Sequence, residues 1–566
     1  DTESLIVRLN MKAALRPLLR PRLTHLIAPS ILRLRMRLAN SSFSPKKRAL
    51  ALMAGAGLTV GGWWYSAEAK ETGEYDVVKH RRTLRFALSI ASQQVFPSNP
   101  VVGGRAVGEG YLYHFADNSE ITEEDIEKIR GKLASLIDAK APLTESKIPW
   151  VEAKTYFQQA GLTMSEKLID SRVEEELAVT TCNGHVRLKI PKMYSDLGKL
   201  SMGKWKIEKA GRGILLTYTS DYIPQPAIIG SIQGKEQWGV HNGIKCVGEL
   251  NSLEANNRDR KNFILAAEFM QEAGIVDIVR NIMSKEDKEG KLRSNIRVVC
   301  IAGPTSSGKT TFATKLTQQL INNGMPACPL TVDHYYLPLN RQPKYQIRNQ
   351  RSDVDYDHIE SMDINLVNDH IMSLINGEEI RAPKYNMKTG YRDGEGRPFS
   401  IPKGGILVIE GIHALNPNYT SSIPRDKVFK IFLSPITAIS VDEVNTIKST
   451  DSRLLRRMSR DYMFRGNSAS RTLAMWHNVR KGEGTWIFPF QNEADYVMNS
   501  AHEYELCVLK PFVEPLLKGV NPSDPNFGKA RELLGLLDRV HSWNERFVPS
   551  TSLLREFIGS GAFDEH

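Results

Sequence analysis

Cysteine is scarce in this 566-residue chain, and its five cysteines (Cys182, Cys246, Cys300, Cys328, Cys507) stand far apart with no Cys-x-x-Cys pair. That spacing argues against a disulfide scaffold and a zinc ribbon. Acidic residues are absent from Ser4 to Arg48, so residues 1–48 carry +9 of the formal net charge of +11 and leave only +2 for the rest. A body so nearly neutral lacks the basic footprint of a nucleic-acid interface, and no nucleic-acid partner is expected. Charge of either sign is absent from Ala49 to Ala67. The whole chain is 41% hydrophobic and 25% charged, a globular composition, and too long for a single core; two or three domains are expected.

The basic N-terminus interleaves Arg8, Lys12, Arg16, Arg20, Arg22, Arg33, Arg35 and Arg37 with Leu, Ile and Ala, then places serines at 41, 42 and 44. Residues 1–48 therefore read as an organelle transit-like segment, the alternative being a basic surface helix. Residues 49–67 are just long enough to cross a bilayer. Gly57 and Gly61 form a G-x-x-x-G pair, and Trp63, Trp64 and Tyr65 suit a membrane interface. The segment is expected to be a transmembrane helix or a cleaved sorting signal with Ser66–Ala69 as its processing site. A retained anchor implies the mitochondrial inner membrane, with residues 70–566 facing the intermembrane space and the matrix as the alternative.

Residues 70–290 read as a mixed α/β domain. Leu84–Val95 is helix-like and ends at Phe96-Pro97, Gly108–Phe115 alternates like a strand, and Trp150–Ala160 looks like a short helix. Thr122 caps a further helix with Asp125 at its third position, and Ile126, Ile129, Leu133, Leu136 and Ile137 line one face. This run of elements resembles the editing domain of threonyl-tRNA synthetases. That resemblance implies a site built from H-x-x-x-H and C-x-x-x-H. Arg82 and Phe86 stand at the first pair of positions here, and Cys182 and His185 form a C-x-x-H one residue short. The domain is therefore expected to serve packing or docking, with the editing site lost.

Residues 291–566 carry the chemistry. An apolar, β-branched run, Arg297–Ala302, leads into Gly303-Pro-Thr-Ser-Ser-Gly308-Lys309-Thr310 and then helix-forming sequence. Strand, G-x-x-x-x-G-K-T loop and helix together predict a phosphate cradle involving Gly303, Ser306, Ser307, Gly308, Lys309, Thr310 and Thr311. Lys309 would reach the β- and γ-phosphates, and Thr310 would ligate Mg²⁺. Asp333 follows the next strand, Cys328–Val332, where a carboxylate can take a hydroxyl proton; a helix-capping or turn role is equally open on spacing alone. Gly405–Gly411 is a third apolar strand, ending in Glu410 as a candidate Mg²⁺ group. Arg453, Arg456, Arg457 and Arg460 recur at i, i+3, i+4 and i+7, with Arg465 just beyond. Only Asp461, four residues after Arg457, is local enough to relieve their repulsion, so the stripe is expected to face an anion such as a triphosphate.

These pieces together resemble the uridine kinase and phosphoribulokinase family, most of all bacterial nucleoside kinases with a synthetase-like domain in front. The similarity extends through Asn386–Gly390, Glu410–Pro417, Trp476–Glu483, Ile487–Gln491 and Leu554–Gly559. It implies an α/β P-loop kinase with a parallel sheet, using ATP and Mg²⁺ on a small-molecule, nucleoside-like acceptor. By that resemblance Asp333 is the general base, Asp357 and Tyr385 hold the nucleoside, and Arg457, Arg460 and Arg465 belong to the lid over the phosphates. Two departures limit it: Gly390 replaces a histidine, and Asn467 replaces an arginine, both of which help hold the pyrimidine in that family. The competing expectation is an accessory subunit of an inner-membrane complex, or a homo-oligomer, that retains the kinase fold.

Overall fold

In the computed structural model, which describes residues 76–218, 222–253, 257–284, 295–342, 356–386 and 389–563, the first element is helix α1 (Val77–Val95). It begins seven residues before the apolar run because the Asp76 carboxylate accepts the Val78 and Lys79 N–H groups. The transit-like and anchor segments, 1–48 and 49–67, lie outside the described residues. Among the described residues no helix is long and apolar enough to cross a membrane.

After α1, the strand expected over Gly108–Phe115 is β2 (Gly110–Phe115), and it pairs with a strand not expected from the sequence, β1 (Val101–Val107), across a turn in which Gly108 takes a positive φ of 55°. Helix α2 (Glu123–Asp138) opens on the expected capping box between Thr122 and Asp125. Its residues Ile126, Ile129, Leu133, Leu136 and Ile137 are all buried. Next come β3 (Thr144–Pro149), α3 (Trp150–Gln159), α4 (Thr163–Asp170), β4 (Glu176–Cys182), β5 (His185–Leu188), β6 (Lys206–Ala210) and β7 (Gly213–Thr217). The strands make two antiparallel sheets, ordered β1-β2-β7-β6 and β3-β4-β5. On α1, Phe86 is fully buried, and Arg82 donates to the Pro191 carbonyl at 2.6 Å. Cys182 is buried opposite His185, whose ring lies against Gln93 and Gln94. Helices α5 (Pro226–His241), α6 (Val247–Ser252) and α7 (Asn257–Met283) then lead to the second half.

There a five-stranded sheet is parallel throughout. Its strands are β8 (Val298–Ala302), β9 (Ala327–Thr331), β14 (Ile406–Glu410), β15 (Val428–Ser434) and β16 (Tyr496–Asn499), in the order β16-β15-β8-β14-β9. Every residue of β8 is buried, as a central parallel strand covered on both faces must be. Helix α8 (Lys309–Asn322) follows β8, and α9 (Ile364–Ile375) precedes the short strands β10 (Ile380–Ala382), β11 (Tyr385–Asn386), β12 (Tyr391–Arg392) and β13 (Arg397–Phe399). Helices α10 (Ser449–Arg465), α11 (Ala469–Trp486), α12 (Glu505–Lys518), α13 (Phe527–Leu537) and α14 (Arg555–Ile558) complete the chain.

The two halves are not separate bodies, since Tyr75–His566 form one compact unit. Phe157, Leu168 and Val179 share a core with Leu454, Met458, Trp476 and Trp543. The loop 435–448, between β15 and α10, is embedded in the N-terminal half. Arg85 donates to the Val444 carbonyl at 2.6 Å, and the buried Arg105 donates to the carbonyl of Ala438. The Glu443 carboxylate accepts the Met164 and Ser165 N–H groups at 2.8 and 3.2 Å, capping α4 from across the molecule.

Candidate active site

The phosphate loop is fixed first by backbone demands. A Cβ on Gly303 would stand 2.1 Å from the Leu433 carbonyl oxygen of β15, so only glycine lets the chain leave the sheet there. Ser306 and Gly308 take φ values of +60° and +87°, which turn the loop back into the N-terminus of α8. Three carbonyls of the loop are held from behind. Arg453 donates to Thr305 O at 3.2 Å, Arg456 to Ser306 O at 3.4 Å, and the Ser500 hydroxyl to Ser307 O at 2.6 Å.

With those carbonyls turned away, the hydroxyls of Ser306 and Ser307 are buried without a hydrogen-bond partner among the described residues. They sit beside a helix N-terminus, where the helix dipole favours an anion. These residues fit a nucleotide phosphate chain. Lys309 Nζ lies 3.4 Å from the Pro304 carbonyl, and the Thr310 hydroxyl donates to Glu410 Oε1 at 3.4 Å. Glu410, at the end of β14, is buried, and burial together with the charge of Asp333 pushes its carboxyl up to about 7 despite Lys309 nearby. A buried, partly protonated carboxyl beside a threonine hydroxyl and a lysine fits a divalent cation, whose binding would displace the proton.

Asp333 lies in a short 3₁₀ turn (Val332–Tyr335) after β9, with its Oδ1 3.8 Å from where a Cβ on Gly411 would be. Thus Thr310, Asp333 and Glu410 gather at the C-terminal ends of three adjacent parallel strands, where open α/β sheets place ligands. Arg392 braces the turn, donating to the Tyr335 and Tyr336 carbonyls at 3.2 Å each and to Asp363 at 3.0 Å. Beyond Asp333 the lining is aromatic. Tyr336 sits 5.4 Å, ring to ring, from both Tyr356 and Tyr385, and it donates to the Tyr356 carbonyl at 3.0 Å. Burial, then the charges of Asp333 and Asp357, holds the Tyr336 phenol well above its ordinary value. Asp357 packs so closely on α11 that a Cβ on Gly482 would meet its Cβ at 2.5 Å.

The arginine stripe requires a correction. Arg453 and Arg456 are only 1% and 0% exposed, and each is paired with its own carboxylate, Glu483 and Glu505 respectively. Burial alone would raise the Glu483 pKa, but Arg453 and Arg480 hold it below its ordinary value. The guanidinium groups of these two arginines brace the back of the phosphate loop instead of facing an anion. Arg457 and Arg465 share Asp461, at 3.2 and 3.1 Å, and Arg457 also reaches the Thr305 hydroxyl at 3.3 Å. The like charge of Arg460, together with burial, lowers Arg465 to about 10. Arg460 pairs with Glu556 at 2.9 Å, and Glu556 also accepts from the Thr311 hydroxyl at 3.4 Å.

Asp461 is therefore one of four carboxylates that neutralise the stripe. The other three lie 30, 49 and 96 residues from the arginines they pair with, beyond the reach of helical spacing. Glu483 and Glu556 stand in segments whose sequence already marks the fold, Trp476–Glu483 and Leu554–Gly559, but no spacing ties either one to an arginine. Arg392 also carries no such signal. Of the two departures, Gly390 has φ +83°, and its carbonyl accepts the Leu339 N–H at 2.8 Å. Asn467 follows Gly466 (φ +64°) at the end of α10, its N–H donating to the Asp461 carbonyl at 3.0 Å.

A central parallel sheet whose middle strand runs into a G-x-x-x-x-G-K-T loop and helix defines an α/β fold of the P-loop kinase kind. Residues 298–506 match the Phosphoribulokinase / Uridine kinase family. The chain is 27% identical to a uridine kinase of Halobacterium salinarum over 199 residues, covering 35% of this chain and 77% of that one. It is 25% identical to uridine-cytidine kinase B of Dictyostelium discoideum over 202 residues, 36% and 73% of the two chains. Among solved structures, one from Bacillus stearothermophilus described as a possible uridine kinase aligns at 15% identity and TM-score 0.27, over 40% of this chain and 99% of that one.

Proposed function

We propose that this chain transfers the γ-phosphoryl group of ATP to a hydroxyl of a nucleoside-like small molecule. The observation that carries the proposal is the convergence of the phosphate loop, Glu410 and Asp333 at the ends of β8, β14 and β9. ATP supplies the activated phosphoryl group, and Mg²⁺ offsets its charge. Ser306, Ser307 and the α8 N-terminus bind the phosphates, Lys309 neutralises their outer end, and Thr310 and Glu410 hold the cation. Asp333 accepts the proton of the attacking hydroxyl as its oxygen bonds to the γ-phosphorus. The bond from that phosphorus to the β–γ bridging oxygen breaks, and ADP leaves with the electron pair. Arg457 and Arg460 stabilise charge spreading over the transferring oxygens.

Tyr336, Tyr385 and Asp357 form the acceptor side, with aromatic faces for a ring and a carboxylate for sugar hydroxyls. Gly390 and Asn467 remove the two side chains through which related kinases hold a pyrimidine, so the proposal specifies a hydroxyl on a nucleoside-like frame and not uridine itself. The N-terminal half, which resembles a threonyl-tRNA synthetase domain in its motifs, acts in this reading as a structural support.

The test is acceptor-dependent ADP formation by the purified chain with Mg²⁺-ATP and a panel of nucleosides, ribose sugars and their phosphates. At least one acceptor should turn over, and Asp333→Asn should slow it by about 10²- to 10⁴-fold. No turnover with any acceptor, or an unaffected Asp333→Asn protein, overturns the reading.

A further inference from the structure

The chain returns to the phosphate loop after the family match has ended at residue 506. Thr551 O accepts from Lys315 Nζ of α8 at 2.9 Å, and the Leu553 side chain lies 3.6 Å from where a Cβ on Gly308 would be. Three residues on, Glu556 offers one carboxylate oxygen to Arg460 and the other to Thr311, joining the arginine helix to the phosphate-binding helix. The segment around it is rigid. Arg555 ties the carbonyls of Glu545, Val548, Pro549 and Gly559 together, and Leu554, Phe557 and Ile558 are buried.

Glu556 differs from the other carboxylates of the stripe. Glu483 and Glu505 pair with arginines that also hold loop carbonyls from behind. Asp461 is fully buried within its own helix. Glu556 alone also touches a residue in the first turn of α8, where the helix dipole and free N–H groups attract an anion. Its charge reaches the opposite side of the site, being one of the groups that raise Glu410. A fixed negative charge at this place repels a phosphate chain while neutralising the arginine that the phosphates need.

Building on the proposed kinase reading, we propose that Glu556 is a resting counter-anion for Arg460, standing in for a phosphate group at the donor site. Nucleotide binding takes Arg460 from Glu556, and Glu556 reclaims it when the diphosphate product leaves. Arg460 is the partner that moves, because the Glu556 backbone is locked by Arg555 and the packed Phe557, over which the Arg460 guanidinium lies at 5.7 Å. Glu556 thus weakens nucleotide binding and hastens product release, a role opposite in sign to that of the lid arginines.

The experiment is calorimetric titration of Mg²⁺-ADP and Mg²⁺-ATP into the full chain and its Glu556→Gln variant, with unfolding temperatures measured in parallel. Glutamine keeps the shape and hydrogen-bonding reach without the charge. Removing one like charge beside the phosphates should tighten both nucleotides about tenfold, and kcat should fall as ADP release slows. Glu556→Asp, which withdraws the carboxylate by one methylene, serves as the second variant and should tighten binding less. A merely structural role predicts weaker binding in both variants, so unchanged or weakened affinity overturns the proposal. A wild-type chain that binds neither nucleotide overturns the kinase reading and this proposal with it. Wild-type binding that Glu556→Gln does not tighten overturns this proposal alone.

Discussion

Arg456 and Arg460 lie one turn apart on the same helix, yet one is sealed inside the protein and the other borders the phosphate site. Arg456 has a private carboxylate, Glu505, and spends its other contacts on the carbonyls of Ser306 and Ser500. Arg460 has Glu556, which is shared with Thr311. Helical spacing puts both on one face, but a partner from elsewhere in the chain decides whether a guanidinium is scaffold or tool. The inner arginines hold the loop from behind, and in the proposed kinase reading that leaves the outer ones to act on what the loop binds.

The most forceful way to break this contrast is to remove each arginine in turn and measure unfolding in denaturant. Arg456→Ala should cost about 3–5 kcal/mol because it strands the buried Glu505. Arg460→Ala, which leaves the less deeply buried Glu556, should cost less, about 1–3 kcal/mol, its main loss appearing in phosphoryl transfer. Equal stability losses would erase the distinction.

A second test asks whether the cation side of the site carries a comparable uncompensated charge. Glu410 is raised from 4.5 to about 7 in the folded protein, so the native state holds a proton that the unfolded chain has released. Without metal, stability should therefore fall as pH rises from about 4.5 to 7, by roughly 2–3 kcal/mol. Glu410→Gln should remove that slope and be more stable than wild type at pH 8, as read from paired urea titrations. A slope that survives the substitution would show that the buried charge lies elsewhere.

The smallest effect belongs to the acceptor side, where backbone and not charge sets the geometry. Gly390→Ala forces a side chain into φ +83° with its Cβ 3.2 Å from Leu339 Cβ. It should lower stability by about 1–2 kcal/mol and raise KM for the acceptor while leaving nucleotide affinity unchanged. A shift in nucleotide affinity would show that the two sides are not independent.

What could be read in advance follows from the range of the forces involved. The phosphate loop was legible because its backbone demands particular residues at fixed places, glycine against β15 and glycine at positive φ. The Thr122–Asp125 capping box was legible for the same local reason. The arginine face was legible as a face, but its burial was not, since Glu483, Glu505 and Glu556 lie in other segments. Nor does any periodicity in Tyr336, Tyr356 and Tyr385 announce that their rings converge. The loop 435–448 was the least visible part, because its irregular backbone is bonded to groups more than 250 residues earlier.

That loop bears on how this protein can change. A hinge ahead of α10 would have to be short and wet, and here that stretch is dry. Val444 lies in the core of the N-terminal half, and Glu443 ends a helix that belongs to that half. A cut near residue 290 would strip the hinge of its walls and leave charged and apolar groups facing water together. The two halves form one compact unit, so a substitution near Arg85 or Arg105 should be felt at α10 as well as in its own half.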